Sequence, residues 1–233
     1  MSVRRKALQF YREPLPGVDA SDLQGKLIVV EGPDAVGRTT QIQQLRFWLE
    51  QSGYAVVDTG MARSALTMKG IQEAKNGHTL GPLTMGLFYM TDFADRLENV
   101  VIPALRAGFV VLTDRYIYSL IARAVARGQD QRWLESVAGI ALVPHATFYL
   151  RADVHDLVTR VVCGPGEFDF WESGMDVPYA KDRCDSFIKY QTRLIKILDG
   201  MAKEYDFKVI NAGKKPELIF RQLQRQITRI LAK

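Results

Sequence analysis

The chain reads as a single α/β domain, and three observations carry that reading. Short apolar runs of strand length at residues 26–31, 54–59, 109–113, 146–150 and 207–210 alternate with longer segments whose apolar residues recur at helical spacing. The first run passes through Gly32-Pro33-Asp34-Ala35-Val36-Gly37-Arg38-Thr39-Thr40 directly into a helix, the context a phosphate-binding loop needs. The length, 233 residues, suits one α/β domain with a substantial core. No internal repeat and no linker interrupts the pattern.

Composition narrows the function classes. No apolar run is long enough to span a membrane, and the basic start Met1-Ser2-Val3-Arg4-Arg5-Lys6 leads into no apolar signal segment, so the expectation is a soluble cytoplasmic protein with no membrane partner. Cys163 and Cys184 have neither metal-site nor redox spacing and read as reduced thiols. The net charge of +5 is scattered among acidic residues rather than massed, which favours small nucleotides over a nucleic acid polymer.

Residues 1–25 form an extension in which Pro14, Pro16 and Gly17 argue against a long helix. After strand 26–31, Gly32 and Gly37 permit turns that a side chain would block. The loop amides then form a nest for anionic oxygens, and the helix beginning there adds its free N–H groups and positive dipole end. Thr39 offers a hydroxyl to a magnesium ion held by phosphates. Arg38 stands where lysine is usual; it keeps the charge and can fork onto two phosphate oxygens. The plain alternative is a glycine-rich turn without a ligand.

Strand 54–59 delivers the loop 60–64 to the sheet edge where ligands sit in open α/β sheets. Ser64 is the expected N-cap of a helix running to about Lys75, which leaves Arg63 either on the ligand side or as a solvated loop arginine. Pro82 opens a longer helical stretch, 83–107, on which Phe88, Asp92 and Arg96 share one face. That stripe suits a nucleobase, or equally a core aromatic beside a helix ion pair. Strand 109–113 ends at Asp114-Arg115-Tyr116. A carboxylate there is placed for magnesium and Arg115 for a second phosphate, against the plainer reading of a structural ion pair. The next helix carries Tyr118, Ser119, Arg123 and Arg127 and stops at Gly128. A helical pattern at 133–142, strand 146–150 and a helix at 154–162 bearing Arg160 follow. The segment 163–176, rich in glycine, aromatic and acidic residues, has no period and reads as a loop of the lid type. A helix at 179–204, strand 207–210 and a final helix complete the chain.

These pieces, in this order, resemble the thymidylate kinase family of P-loop nucleoside monophosphate kinases from about residue 26 to the C-terminus. The stretches 31–41 and 112–116 carry the likeness most specifically, together with 95–108. The resemblance implies a P-loop NTPase fold: a five-stranded parallel sheet flanked by helices on both faces, with one kinase domain over 26–233 and a lid at about 161–180. It also implies a homodimer, and transfer of the γ-phosphoryl of ATP to dTMP. Gly32, Asp34, Ala35, Val36, Gly37, Arg38, Thr39 and Thr40 would hold the ATP phosphates, with Thr39 and Asp114 on Mg2+. Asp34 would face the acceptor's sugar and phosphate, and Arg63 and Arg115 would grip its phosphate. Phe88 would stack on thymine with Arg96 alongside; Tyr89 and Phe93 are the other candidate rings. Arg160 would reach the transferring group as the lid closes. Arg123 stands near the sugar, where relatives commonly place tyrosine or glutamine. Two other readings are a kinase for another deoxynucleotide or a deoxynucleoside, and a nucleotide-binding protein without catalysis.

Overall fold

The computed structural model describes residues 8–77, 80–164, 167–177 and 179–232. The strands are β1 (Lys26–Glu31), β2 (Val56–Gly60), β3 (Val110–Asp114), β4 (Ala146–Arg151) and β5 (Lys208–Asn211). They form one sheet in the order β2-β3-β1-β4-β5, and every neighbouring pair is parallel. The helices are α1 (Arg38–Gln51), α2 (Met68–Gly77), α3 (Pro82–Arg96), α4 (Ile102–Arg106), α5 (Ile117–Ala126), α6 (Gln131–Val137), α7 (Val154–Cys163), α8 (Arg183–Glu204) and α9 (Pro216–Leu231). Both faces of the sheet are covered, which is why the central strands are apolar throughout rather than alternating. Val29, Val111 and Tyr149 face a core shared with α3, α5 and α8. Ile28, Val30, Leu112 and Phe148 face a second core shared with α1 and α9.

The α/β architecture matches the sequence reading, and the differences are local. The single helix expected over 83–107 is broken by a π-helical turn at Leu97–Val101 before α4. Pro103 has no N–H to return to the carbonyl one turn earlier, so the ladder cannot run straight through. Ser64 does not start α2; it accepts from Leu66 N (3.1 Å) in a separate turn, and the helix begins at Met68. The last long helix starts at Arg183 rather than 179 because the Asp182 carboxylate caps Cys184 N and Asp185 N at 2.9 and 3.0 Å. The helix expected at 133–142 is α6 followed by a 3-10 turn, Ala138–Ile140. Residues 8–25 are a strap. Phe10 bridges antiparallel to Leu142, Tyr11 N and Arg12 N donate to Ala141 and Gly139 carbonyls at 2.9 Å, and Leu8 is buried. The expected lid span 161–180 includes Pro165, Gly166 and Pro178, which lie outside the described residues.

Candidate active site

At the carboxyl edge of β1 the chain turns sharply, and the turn needs glycine. Gly32 has φ +155°, and a Cβ there would sit 2.7 Å from the Leu150 carbonyl. Gly37, at φ +92°, occupies the left-handed region as the residue before α1. Ala35 also takes a positive φ, of 60°, a strained conformation held by the surrounding loop. The stretch from Asp34 through Thr40 lines an open cleft with Arg115, Arg160 and Glu172. Arg160, on α7, donates to the Val36 carbonyl (2.9 Å) and to the Ala212 carbonyl, tying the loop to the end of β5.

Arg38 is buried and turned into the loop. Its Nη1 donates to the Gly32 and Pro33 carbonyls and its Nε to Asp114 Oδ1 at 2.8 Å. Thr39 Oγ1 donates to the other Asp114 oxygen at 3.1 Å. Burial raises the Asp114 pKa, but the guanidiniums of Arg38 and Arg115 outweigh it and hold the carboxyl below its usual range. The Asp114–Arg38 pair thus joins the end of β3 to the start of α1.

Asp34 is the centre of a second network. Its fully buried carboxylate accepts from Arg115, from Arg123 Nη2 (2.6 Å to Oδ2) and from Gln191 Nε2 (2.9 Å), with Arg38 Nη2 3.8 Å away. Burial opposes ionisation, yet the charges of Arg123, Arg115 and Arg38 keep it a carboxylate far below the ordinary pKa. Glu172 is pushed upward by Asp34 and by its own burial. Arg115 reaches the network from a backbone at φ +69°, and its Nε is buried without a partner among the described residues.

Beside this network lies a largely apolar cavity whose walls include Met61, Met85, Tyr89, Arg115, Arg123, Trp171 and Glu172. Arg115 and Glu172 therefore line both the cavity and the loop cleft. Of the three candidate rings, the lining one is Tyr89. Phe88 points along the other side of α3, its ring edge 3.2 Å from where a Gly70 Cβ would stand, and Phe93 is in the core against Tyr116. Arg63 is 41% exposed and approaches Asp58 at 3.7 Å, so the structure does not bring it to the cavity. Arg96 is buried against Asp92 (2.8 Å). Asp92 in turn accepts from Ala62 N, Ser64 N and Thr67 Oγ1 at 3.0, 2.9 and 3.2 Å. The Asp92–Arg96 stripe thus shapes the 61–67 loop that walls the cavity, as an ion pair behind the wall.

Gln191 and Glu172 carry no sequence signal as site residues, and Arg127 is visible on its helix but without a role. Gln191 sits mid-α8 with no local pattern to mark it, and Glu172 lies in an aperiodic segment. Arg127 follows Arg123 by one helical turn, a spacing that places both on one face and was a usable signal.

Comparison with known proteins agrees with this geometry. The family model described as thymidylate kinase matches residues 30–223. The chain is 32% identical to the probable thymidylate kinase 2 of Saccharolobus solfataricus, over 90% of this chain and 96% of the relative. It is 36% identical to a thymidylate kinase of Clavibacter michiganensis subsp. michiganensis, over 90% and 98%, and 28% identical to a probable thymidylate kinase of Thermococcus kodakarensis, over 88% and 98%. With a glycine loop at the carboxyl edge of a parallel sheet and an arginine network beside it, the chain belongs, on these matches, to the thymidylate kinase family.

Proposed function

We propose that the protein transfers the γ-phosphoryl of ATP to dTMP, giving dTDP and ADP. The observation that carries this reading is the shared wall: Arg115 and Glu172 line both the loop cleft and the apolar cavity, so two anionic tails bound there would meet end to end. In this reading the N–H groups of residues 35–40 hold the ATP phosphates, and Arg160, which lines the cleft, braces the loop through the Val36 carbonyl. Arg115 faces the junction, and its unpartnered Nε suits an acceptor phosphate. Tyr89 and the methionines pack the base, while Asp34 and Arg123 lie toward the sugar. Arg38 adds charge beneath the loop, and Asp114 orients it.

The chemistry asks for little more. Phosphoryl transfer depends on in-line positioning and positive charge, and an acceptor that is already anionic needs no strong base. In this reading Trp171 and Glu172, which line the acceptor cavity, would screen the bound acceptor from water that could otherwise take the phosphoryl group. Thr39 and Asp114 supply hard oxygens 3.1 Å apart, which fit magnesium held chiefly by nucleotide phosphates. When bound, magnesium would neutralise charge between the β- and γ-phosphates.

The reading extends to a cytoplasmic homodimer acting on small nucleotides. Among the described residues no helix is long and apolar enough to cross a membrane. A coupled assay with ATP, magnesium and a panel of nucleosides and monophosphates tests the assignment. dTMP is expected to be the best acceptor; turnover of unphosphorylated nucleosides alone would refute it.

A further inference from the structure

Arg127 stands immediately after α5, and its guanidinium is fully used. Nε and Nη2 grip the two oxygens of Asp176 at 2.7 and 3.0 Å, and Nη2 also donates to the Trp171 carbonyl at 3.0 Å. Nη1 donates to the Arg123 carbonyl (3.3 Å) and to the Tyr190 hydroxyl. An arginine has five N–H donors, and all five are engaged, so no donor remains for a ligand phosphate. The guanidinium also lies 4.9 Å from the centre of the Tyr190 ring. The Arg127 and Asp176 side chains are only 10% and 13% exposed, which separates this bidentate pair from weak surface ion pairs.

What Arg127 holds is the turn that closes the cavity. Trp171 lines the cavity, and its indole Nε1 donates to the Lys75 carbonyl at the end of α2 (3.1 Å). Gln191 Nε2 spans from the Glu172 carbonyl (2.8 Å) to Asp34 (2.9 Å), and Ser186 Oγ donates to the Ser173 carbonyl at 2.7 Å. Behind the turn, Gly174 at φ +63° lies so close to Tyr190 that a Cβ would be 2.8 Å from the ring. Among these anchors only the Arg127–Asp176 pair joins two charged side chains, and only Arg127 ties the turn to α5, the helix that also presents Arg123.

We propose that Arg127 is a positioning residue that clamps the 171–176 turn onto α5 and α8, and so holds Trp171 closed over the acceptor cavity. The inference rests on the assignment of that cavity to the acceptor, but the clamp is testable without it. The full chain carrying Trp48→Phe and Trp133→Phe leaves Trp171 as its single indole. In that background Asp176→Asn and Arg127→Met are each expected to raise acrylamide quenching of Trp171 about threefold without any nucleotide, since a charged hydrogen bond is lost. With ATP and magnesium, dTMP KM is expected to rise about tenfold while kcat changes less than about threefold, as for lost uniform binding. The double variant should be no worse than either single one. Asp176 lies on a turn outside the core, so Asp176→Asn decides the matter if Arg127→Met does not fold. Unchanged Trp171 quenching in Asp176→Asn would overturn the clamp, as would a fall in kcat at unchanged KM. A wild-type chain inert toward dTMP whose Trp171 is nevertheless released by both substitutions would refute the acceptor assignment and support the clamp.

Discussion

The loop cleft and the apolar cavity beside it are built by opposite means. The cleft is lined chiefly by seven consecutive residues, 34–40, joined by Arg115, Arg160 and Glu172. In the proposed reading the backbone of that run holds the phosphates while side chains such as Arg38 brace the turn. The cavity is made of side chains from separated parts of the chain: Met61 after β2, Met85 and Tyr89 on α3, Arg123 on α5, Trp171 and Glu172 in the 169–177 turns. Asp34 links the two, since it belongs to the loop by sequence and to the cavity network by its bonds to Arg115 and Arg123. The lesson is that gripping a triphosphate is a local problem of backbone geometry, while choosing an acceptor is a problem of tertiary assembly.

The largest expected effect therefore comes from cutting the link. Asp34→Asn leaves the buried guanidiniums of Arg115 and Arg123 facing a neutral amide. It is expected to cost about 3–5 kcal/mol of stability, read as a lower urea midpoint at constant slope. Its dTMP KM should rise more than its ATP KM; equal changes would mean that the two regions are not divided as described. Next comes the loop itself. Arg38→Ala is expected to lower kcat at least tenfold, about 1.4 kcal/mol of barrier, with Arg38→Lys recovering part of it. An unchanged rate in Arg38→Ala would make the buried arginine a structural brace only.

A smaller effect separates the faces of α3. Tyr89→Ala should raise dTMP KM about tenfold, while Phe88→Ala, against Gly70, should change it less than about twofold, on the scale of one aromatic contact. The reverse order in steady-state kinetics would return the stacking role to Phe88.

The smallest effect lies outside both regions. Burial and the nearby Lys26 charge push His145 down from 6.5 to about 4, and protonating Nδ1 would also forfeit the bond it accepts from Leu27 N (3.1 Å). Its folded pKa is below its unfolded value, so the unfolded chain binds more protons in between. The stability contributed by His145 is complete above pH 6.5 and is lost as pH falls toward about 4. Glu31 and Glu172 are raised from their usual value and act in the opposite sense, so the measurement is the difference between wild type and His145→Asn. The two unfolding midpoints should converge as pH falls through that window; a constant gap would contradict the assignment.

The same division decided what the sequence disclosed. The loop was legible because strand, glycine turn and helix are contiguous, and β3 announced Asp114 by ending an apolar run. The α3 stripe was legible as a pattern but not as a role, because helical spacing says which residues share a face and not which neighbour that face meets. Hence Phe88, which shares its stripe with Asp92 and Arg96, packs on α2, and Tyr89, one position on, lines the cavity. Arg63 was undecided from spacing alone, and the Asp58 carboxylate takes it outward. Gln191 and Glu172 carried no local signal, since each matters through tertiary neighbours. Gln191 acts through Asp34, and Glu172 through Asp34 and the cleft and cavity it lines, with Asp34 more than a hundred residues away from both in sequence.

A single ligand tests whether the two regions form one continuous site: adenosine and thymidine joined through a chain of phosphates. The account predicts competitive inhibition against both ATP and dTMP, with binding tighter than either nucleotide alone, because the second half binds at high effective concentration. Competition with only one of the two substrates, at an affinity no better than that nucleotide's own, would show that the cleft and the cavity do not meet at Arg115.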